Sequence, residues 1–477
     1  MNLPEPLRSF ADAVRAASGR ALLIGGAVRD RLLQQTPTDF DVEVYGLSPE
    51  VVLELAQALG SVHDVGKAFG VLEVRFPEST IHISLPRRES KIAPGHRGFA
   101  VGVDPGMAPE DAARRRDFTM NAIAEDPLTG EIFDPFQGRA DLERGVLRVV
   151  DADHFGEDPL RVLRAAVFAA HFELTIESDS ERVIRQAVHQ LKQLHRERVG
   201  EEWRKLLQRP VQPSRGLKLL MDWGAIALLH PEFSRLPKTP QHPAWHPEGD
   251  VWMHTLLAVD VAVSLVREQQ LTTDDTWAVL LATLCHDLGK ATTTVQRNGV
   301  WRSVGHDAAG VGPTRTFLKA IAANKQTIER VVRLVREHLQ PLHFSRMQAR
   351  DQQVRDGRFI ALARRLHPAT LFLLSLVAEA DHRGRGVSPE TSTPELVSAF
   401  RSRAEALDIL HHPPKPVLTG ADLRALGIPP GPSYGDILRR AEQLREKHDI
   451  SRAELLEALR GATESKDALT ALSALGG

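Results

Sequence analysis

Over the first 150 positions the chain alternates short apolar runs with polar turns. Beyond them, apolar residues recur at helical spacing almost to the end. ALLIGG (21–26), FDVEVYG (40–46), VLEVRF (71–76) and TIHISL (80–85) are short, β-branched or alternating, and bounded by turn residues, which predicts strands. Between them ADAVRAA (11–17), AVRDRLLQ (27–34) and PEVVLELAQALG (49–60) have helical periodicity. From EDPLRVLRAAVFAAHF (157–172) onward the pattern is almost entirely helical. The expected fold is therefore an α+β N-terminal region, a small mixed sheet with helices, followed by all-α regions.

Two Pro-rich stretches, PKTPQHPAWHPEGD (237–250) and HHPPKP (411–416), interrupt the helical part. We divide the chain at 1–150, 151–238, 239–390 and 391–477. A length of 477 residues exceeds what one hydrophobic core serves and agrees with several domains. Neither an internal repeat nor a low-complexity tract stands out.

Composition narrows the function classes. Lys+Arg (60) and Asp+Glu (62) nearly cancel, so any nucleic-acid partner must be held by local basic patches. One cysteine, Cys285, excludes a disulfide framework and a cysteine-built zinc site. The longest apolar runs, WAVLLATLC (277–285) and LFLLSLVA (371–378), fall short of the roughly 20 residues that span a bilayer. With an N-terminus unlike a signal peptide, the expectation is a cytoplasmic protein without a membrane partner.

Asp39 and Asp41, in TDFDVEV (38–44), fall on one face of a predicted strand, about 6.5–7 Å apart along it. Two carboxylates so placed suit divalent cations, which two-metal phosphoryl transfer holds roughly 3.5–4 Å apart. Just upstream, GGAVRDRLL (25–33) supplies Gly25 and Gly26 at a strand-to-helix junction, where free N–H groups and the helix dipole favour a phosphate. Arg29, one turn into that helix, is a candidate for a charge-assisted phosphate contact. DxD alone is more often an exposed carboxylate pair, and GG alone a plain turn. The strand–GG–helix–strand order of both is far more specific.

GGAVRDRLL followed by TDFDVEV resembles the nucleotidyltransferase head of the DNA polymerase β superfamily. Within it the sequence is similar to bacterial tRNA nucleotidyltransferases (CCA-adding enzymes) and their poly(A) polymerase relatives. ARRRDFTMNAIAED (113–126) and DPFQGRADLERGVLRVV (134–150) extend the likeness. The resemblance implies Mg²⁺ on Asp39 and Asp41 as catalytic carboxylates. It also implies nucleotide contacts by Gly25, Gly26, Arg29, Arg115, Arg116, Asp117, Asn121, Asp158, Arg161 and Arg164. In GEDPLRVLRAA (156–166), Asp158 and Arg161 are spaced i,i+3, as two residues on one helical face would be. Asp accepts and Arg donates hydrogen bonds. Cytosine and adenine both present an amino donor beside a ring-nitrogen acceptor, so such a pair accepts C and A and rejects U and G without a template. The bland alternative is a helix-surface salt bridge.

One position departs from the family: His82 stands in TIHISLPRRES where an acidic residue is expected. The segment 87–115, basic at its start and Gly-rich, is expected to be a mobile loop beside the site. The resemblance associates such a loop with adding the terminal A. The stretch 191–220 resembles the family's neck helix, with Arg196, Arg198, Arg204 and Lys205 as tRNA phosphate contacts. The basic stretch 333–367 and VLTGADLRALGIPPGPSYGDILRRAEQL (417–444) are expected to add tRNA-binding surface.

Of the 20 histidines, 12 lie between His230 and His412, which marks this part as a second candidate site. His254, His286, Asp287 and Asp381, in that order, resemble the HD phosphohydrolases, with His306 and His338 as candidates for a second metal position. Imidazole and carboxylate donors suit a transition metal such as Ni²⁺, Mn²⁺ or Co²⁺. Lys290 is a candidate phosphate contact. The bland alternative is a helical domain that has lost activity.

Head and HD domain together resemble the bacterial CCA-adding enzymes that carry an HD domain. The expected activity is tRNA 3′-CCA addition or repair from CTP and ATP, with an attached phosphohydrolase, in a monomer or homodimer. Poly(A) polymerase, an A-adding or CC-adding enzyme, an HD hydrolase with an inactive RNA-binding head, and a non-catalytic RNA-binding protein remain alternatives at this point.

Overall fold

The structure, a computed structural model, describes residues 3–37, 39–64, 71–76, 80–91, 99–348, 354–386 and 393–475. It divides into two compact units, residues 1–206 with 215–229, and residues 207–214 with 230–477.

The first unit opens with α1 (Glu5–Ala16), β1 (Arg20–Ile24), α2 (Gly26–Leu32), β2 (Asp39–Tyr45) and α3 (Pro49–Leu59). There follow β3 (Val62–Asp64), β4 (Leu72–Arg75), β5 (Thr80–Ser84), β6 (Arg87–Lys91), β7 (Phe99–Val103), α4 (Pro109–Arg114), β8 (Ala124–Glu125) and β9 (Ile132–Phe133). Among the described residues, seven strands form one mixed sheet in the order β3-β4-β5-β2-β1-β8-β9. β2 and β5 run parallel and the other pairs antiparallel.

Alternation along β2 decides what each face does. Phe40, Val42 and Val44 join Leu7, Phe10 and Val14 of α1 and Val52 and Ala56 of α3 in one core. Asp39, Asp41 and Glu43 therefore point to the opposite face. β1 is apolar on both sides. Ala21 and Leu23 serve the first core, while Leu22 and Ile24 pack with Tyr45, Met107 and Ala112 in a smaller one. The strands expected from the apolar pattern are all present within a residue or two.

Part of the expected loop 87–115 is ordered differently. β6 and β7 pair antiparallel, Arg87 opposite Val103 and Lys91 opposite Phe99, and α4 follows. The turn between the two strands, 92–98, lies outside the described residues.

The rest of the unit is built around the helix Leu160–His171, of which nine residues are buried, so that it serves as a hub rather than a surface helix. Ser178–Ala187 and Arg196–Gln208 are further helices here, and short two-residue strands at 146–147 and 175–176 add a ladder that helical periodicity did not predict.

In the second unit the helices Val251–Glu268, Thr273–Cys285, Lys325–Glu337 and Leu371–Arg383 form the framework. A small hairpin, Val295–Arg297 with Val300–Arg302, interrupts them. Asp250 caps the first helix by accepting from the Met253 N–H at 2.9 Å. Four helices between Gly420 and Ala474 close around a core of their own that includes Leu423, Ile437, Leu444, Leu455 and Leu472. No single helix among the described residues is long and apolar enough to cross a membrane.

Candidate active site and metal centre

The first site lies where β1 ends and α2 begins. Gly25, the residue before α2, has φ +71°, a left-handed conformation that suits glycine. A Cβ there would come within 3.0 Å of Arg116 Nη1 and 3.9 Å of Asp41 Oδ2. Gly25, Arg116 and Asp41 thus share one small space. Ile24 pairs with Asp41 across the sheet, which fixes this approach. Partial desolvation, with Asp39 nearby, raises the Asp41 carboxyl pKa, and Arg116 opposes the rise only in part. Crowded carboxylates of this kind are what a divalent cation relieves.

His82 sits directly beside Asp41 in the β2–β5 ladder. Its Nδ1 is 3.4 Å from Asp41 Oδ1 and its Nε2 3.3 Å from Glu73 Oε2. Glu73, opposite His82 on β4, was not singled out from sequence. Hydrogen bonds from Arg75 and His82 hold its carboxyl below the usual carboxylate range.

The RRDFT segment forms a braced network. Asp117, 7% exposed, accepts from Arg164 Nε at 2.6 Å, Asn121 Nδ2 at 2.9 Å and the Phe118 N–H at 2.8 Å. Burial would raise its pKa, but Arg164 and Asn121 more than offset that, and the carboxyl stays below its ordinary range. Asn121 Oδ1 in turn accepts from Arg29 Nη1 at 2.7 Å. Arg29 is buried, bonded to Asp30 and stacked 4.5 Å from the Phe172 ring centroid. The Arg29 guanidinium is thus engaged within the protein and braces the junction, and the expected phosphate contact would need it to exchange one of these partners. Arg115 donates to the Arg87 carbonyl, tying α4 to β6.

Asp158 and Arg161 do not share a helical face. Asp158 is extended (φ −116°, ψ 99°), between a single 3-10 turn and the helix that starts at Leu160. The cause is Pro159, whose ring disfavours the α conformation in the residue before it. The Asp158 carboxylate accepts from the Leu160 N–H at 3.2 Å and pairs with Arg198 at 3.0 Å. Arg161 donates to the carbonyls of Arg115 (2.6 Å) and His154 (3.2 Å). Of the expected tRNA contacts, Arg196 and Arg204 are exposed, Arg198 is held by Asp158, and Lys205 is held by buried Glu202 at 2.7 Å.

The second site is a closed cluster. His254, His286 and His338 are 0% exposed, and Asp287, Asp381 and His306 are also buried. His254 Nε2 lies 3.2 Å from His286 Nε2 and 3.1 Å from Asp381 Oδ1. His286 Nε2 is 3.2 Å from Asp287 Oδ2. Asp287 Oδ1 reaches His306 Nε2 at 3.3 Å, and His306 Nε2 reaches His338 Nε2 at the same distance. Asp287 belongs to both halves, so two three-residue donor sets meet on one carboxylate.

The opposite ring nitrogens explain why all four Nε2 atoms turn inward. Nδ1 of His286, His306 and His338 lies 2.7, 2.7 and 2.6 Å from the carbonyls of Thr283, Ser303 and Val335, three residues earlier in each case. His254 Nδ1 is 2.8 Å from Glu248 Oε1, which His246 Nδ1 also approaches at 2.8 Å. With the proton on Nδ1, each Nε2 offers a lone pair to the centre, where lone pairs and carboxylates crowd together. Such a donor set fits transition-metal ions. Burial, with His306 and His286 close by, pushes His338 down to about 3. Burial would raise Asp287, yet His286, when protonated, and the Lys290 ammonium hold it well below the carboxylate range. Lys290 Nζ donates to Asp287 at 2.7 Å and Gln241 at 2.8 Å, so it braces the cluster. Glu248 went unnoticed in the sequence, although its place six residues before His254 was visible. A cavity of about 280 Å³ opens over the cluster, lined by Trp245, Trp301, Arg346 and Arg385 among others.

Residues 21–148 match the family model "Poly A polymerase head domain", and 173–236 match "Probable RNA and SrmB- binding site of polymerase A". A multifunctional CCA protein of Xanthomonas euvesicatoria is 37% identical over 425 residues, covering 88% of this chain and 96% of that protein. One of Methylococcus capsulatus is 37% identical over 435 residues, covering 88% and 93%. Among solved structures, the Bacillus stearothermophilus CCA-adding enzyme in complex with CTP shares the fold with a TM-score of 0.62 at 23% identity, covering 94% of this chain and 95% of that one. A CCA-adding enzyme with ATP does so with a TM-score of 0.61 at 18% identity, covering 98% and 94%.

Proposed function

The chain belongs to the multifunctional CCA proteins, and from that premise we infer that it is a CCA tRNA nucleotidyltransferase. It adds CCA to tRNA from CTP and ATP and carries an HD phosphohydrolase. The observation that carries the head's part is the meeting of Asp41, Arg116 and the left-handed Gly25 in one space beside Asp39.

Asp39 and Asp41 are the residues that hold the head's cation, which we take to be Mg²⁺. When bound, it polarises the α-phosphate and activates the RNA 3′-hydroxyl. Gly25 and Gly26 let the triphosphate approach the backbone at the start of α2, and Arg116 balances its charge beside Asp41. Asp117, Asn121, Arg164 and Arg29 keep Arg115 and Arg116 in place through their buried network.

Asp158 and Arg161 read the base edge in this proposal, one accepting and the other donating. For that, Asp158 must exchange Arg198 for the amino group of C or A. Release of Arg198 then couples base reading to the helix Arg196–Gln208, whose exposed Arg196 and Arg204 contact tRNA phosphates. In the second unit, His254, His286, Asp287 and Asp381 would hold one ion, and His306 and His338, beside Asp287, are the candidates for a second. Ni²⁺, Mn²⁺ and Co²⁺ are the candidates.

The test is incorporation on a tRNA transcript lacking CCA, with CTP alone, ATP alone, or both. Addition of C, C and A that then stops is the expected result. Only CC, only A, or a long A tail would reject it.

A further inference from the structure

The geometry points to His82 as a third, nitrogen-donating ligand of the head's divalent cation, oriented by Glu73. This rests on reading Asp39 and Asp41 as the metal-holding pair.

Asp41, His82 and Glu73 stand directly opposite one another across β2, β5 and β4. Opposed residues share a sheet face, so the three form a row on the face that also carries Asp39. The imidazole lies edge-on between the two carboxylates, Nε2 3.3 Å from Glu73 and Nδ1 3.4 Å from Asp41. Glu73 is buried and its other oxygen accepts from Arg75, so it is a fixed acceptor.

A neutral imidazole has one N–H to give. With that proton on Nε2 facing Glu73, the Nδ1 lone pair faces the Asp41 carboxylate. Two acceptors in that position repel each other unless a cation touches both. Adjacent ligands of an octahedral ion about 2.1 Å from each donor lie about 3 Å apart, so the gap between His82 and Asp41 needs only a small closing movement. The Asp39 carboxylate, by contrast, has to turn in to join them, since the three donors do not already lie within 4.8 Å of one another. A carboxylate behind a ligating histidine is the arrangement that fixes tautomer and ring orientation at metal sites.

A nitrogen donor also alters metal preference, because imidazole favours transition metals over Mg²⁺. The head should therefore accept Co²⁺ in place of Mg²⁺ more readily than it would with a carboxylate at position 82.

The experiment is pulsed EPR on the full chain loaded with Mn²⁺. His286→Gln and Asp287→Asn silence the second centre, and circular dichroism confirms folding. A ¹⁴N coupling to head-bound Mn²⁺ is expected, abolished by His82→Gln. The Mn²⁺ dissociation constant should rise about tenfold or more in His82→Gln and about tenfold in Glu73→Gln. In the unaltered chain, His82→Glu should shift the Co²⁺-to-Mg²⁺ ratio of CTP incorporation rates about fivefold or more towards Mg²⁺. Head Mn²⁺ without ¹⁴N coupling, with unchanged affinity in His82→Gln, would overturn the proposal and leave His82 as an imidazolium bridge between two carboxylates. An unshifted metal ratio in His82→Glu would overturn it as well. Mn²⁺ binding that survives Asp39→Asn with Asp41→Asn would instead defeat the underlying reading of the head.

Discussion

The molecule contains two candidate metal sites built on opposite plans. In the head, Asp39 and Asp41 stand on an open strand face, and the Asp41 side chain is 55% exposed. In the second unit, His254, His286 and His338 are 0% exposed, and each inward Nε2 is aimed by a partner on Nδ1. The difference follows from what each must admit. A polymerising site has to receive a nucleotide and an RNA end beside any cation that its carboxylates would hold, so its protein donors are few and open. The buried cluster supplies imidazole and carboxylate donors before any substrate arrives and opens on one side into the cavity of about 280 Å³.

Separability is the strongest test of that contrast. Asp41→Asn should lower CTP incorporation by roughly 10³-fold or more, about 4 kcal/mol of transition-state stabilisation. Hydrolysis of bis(p-nitrophenyl) phosphate by the same variant should stay within about twofold of the parent, since the two sites are built on separate compact units and share no residue. His254→Ala should do the reverse. Loss of both activities in either variant would break the comparison.

Metal retention is the next test. The second unit should keep its ions through dialysis against weak chelators, whereas the head's cation should exchange freely. Stripping with strong chelator should lower the stability of the second unit by about 2.7 kcal/mol if its ions are normally present at 100 times their dissociation constant. Limited proteolysis with metal analysis would check it. Equal sensitivity of both units would show that closure of the cluster does not govern retention.

Some of this was legible in the sequence and some was not, for physical reasons. Strand alternation placed Asp39 and Asp41 on one face, and the glycine pair marked the junction before α2. The HD order of His254, His286, Asp287 and Asp381 was visible because the residue types are distinctive. What escaped were relationships between strands and backbone conformations that spacing does not encode. Glu73 meets His82 through register across β4 and β5. RRESK (87–91) is too polar to announce a strand, so β6 was read as loop. An i,i+3 spacing suggested a shared face for Asp158 and Arg161, and Pro159 undid it. Arg29 was read as a candidate phosphate contact, and spacing alone does not reveal that Asn121 and Phe172 pack against it.

The RRDFT segment of the head is held by a buried polar network around Asp117. Arg164→Ala removes the charged partner of Asp117 and should cost about 2 kcal/mol, the range for a hydrogen bond to a charged group. Incorporation should fall along with it, because Arg115 and Arg116 adjoin Asp117. Urea unfolding followed by a head-specific probe would measure it. An unchanged midpoint would mean that Asn121 and the Phe118 N–H suffice to hold Asp117.

The smallest expected effect separates the units by acid. His230 in the second unit is buried against Phe317, and desolvation pushes its pKa down to about 3. Its unfolded value is about 6.5, so between about pH 6.5 and pH 3 the unfolded chain binds a proton that the native state refuses. That stability is fully present above the unfolded pKa and is lost as pH falls, at up to about 1.4 kcal/mol per pH unit. Asp117 in the head behaves differently: its pKa is depressed, so its contribution is intact at pH 5 and is lost only below about 3.9. Mild acid should therefore loosen the second unit first. His230→Leu should flatten the slope of unfolding free energy between pH 6 and pH 5 by about 1.4 kcal/mol per unit. An unchanged slope would show that water reaches His230, and that the second unit is less closed than its metal cluster suggests.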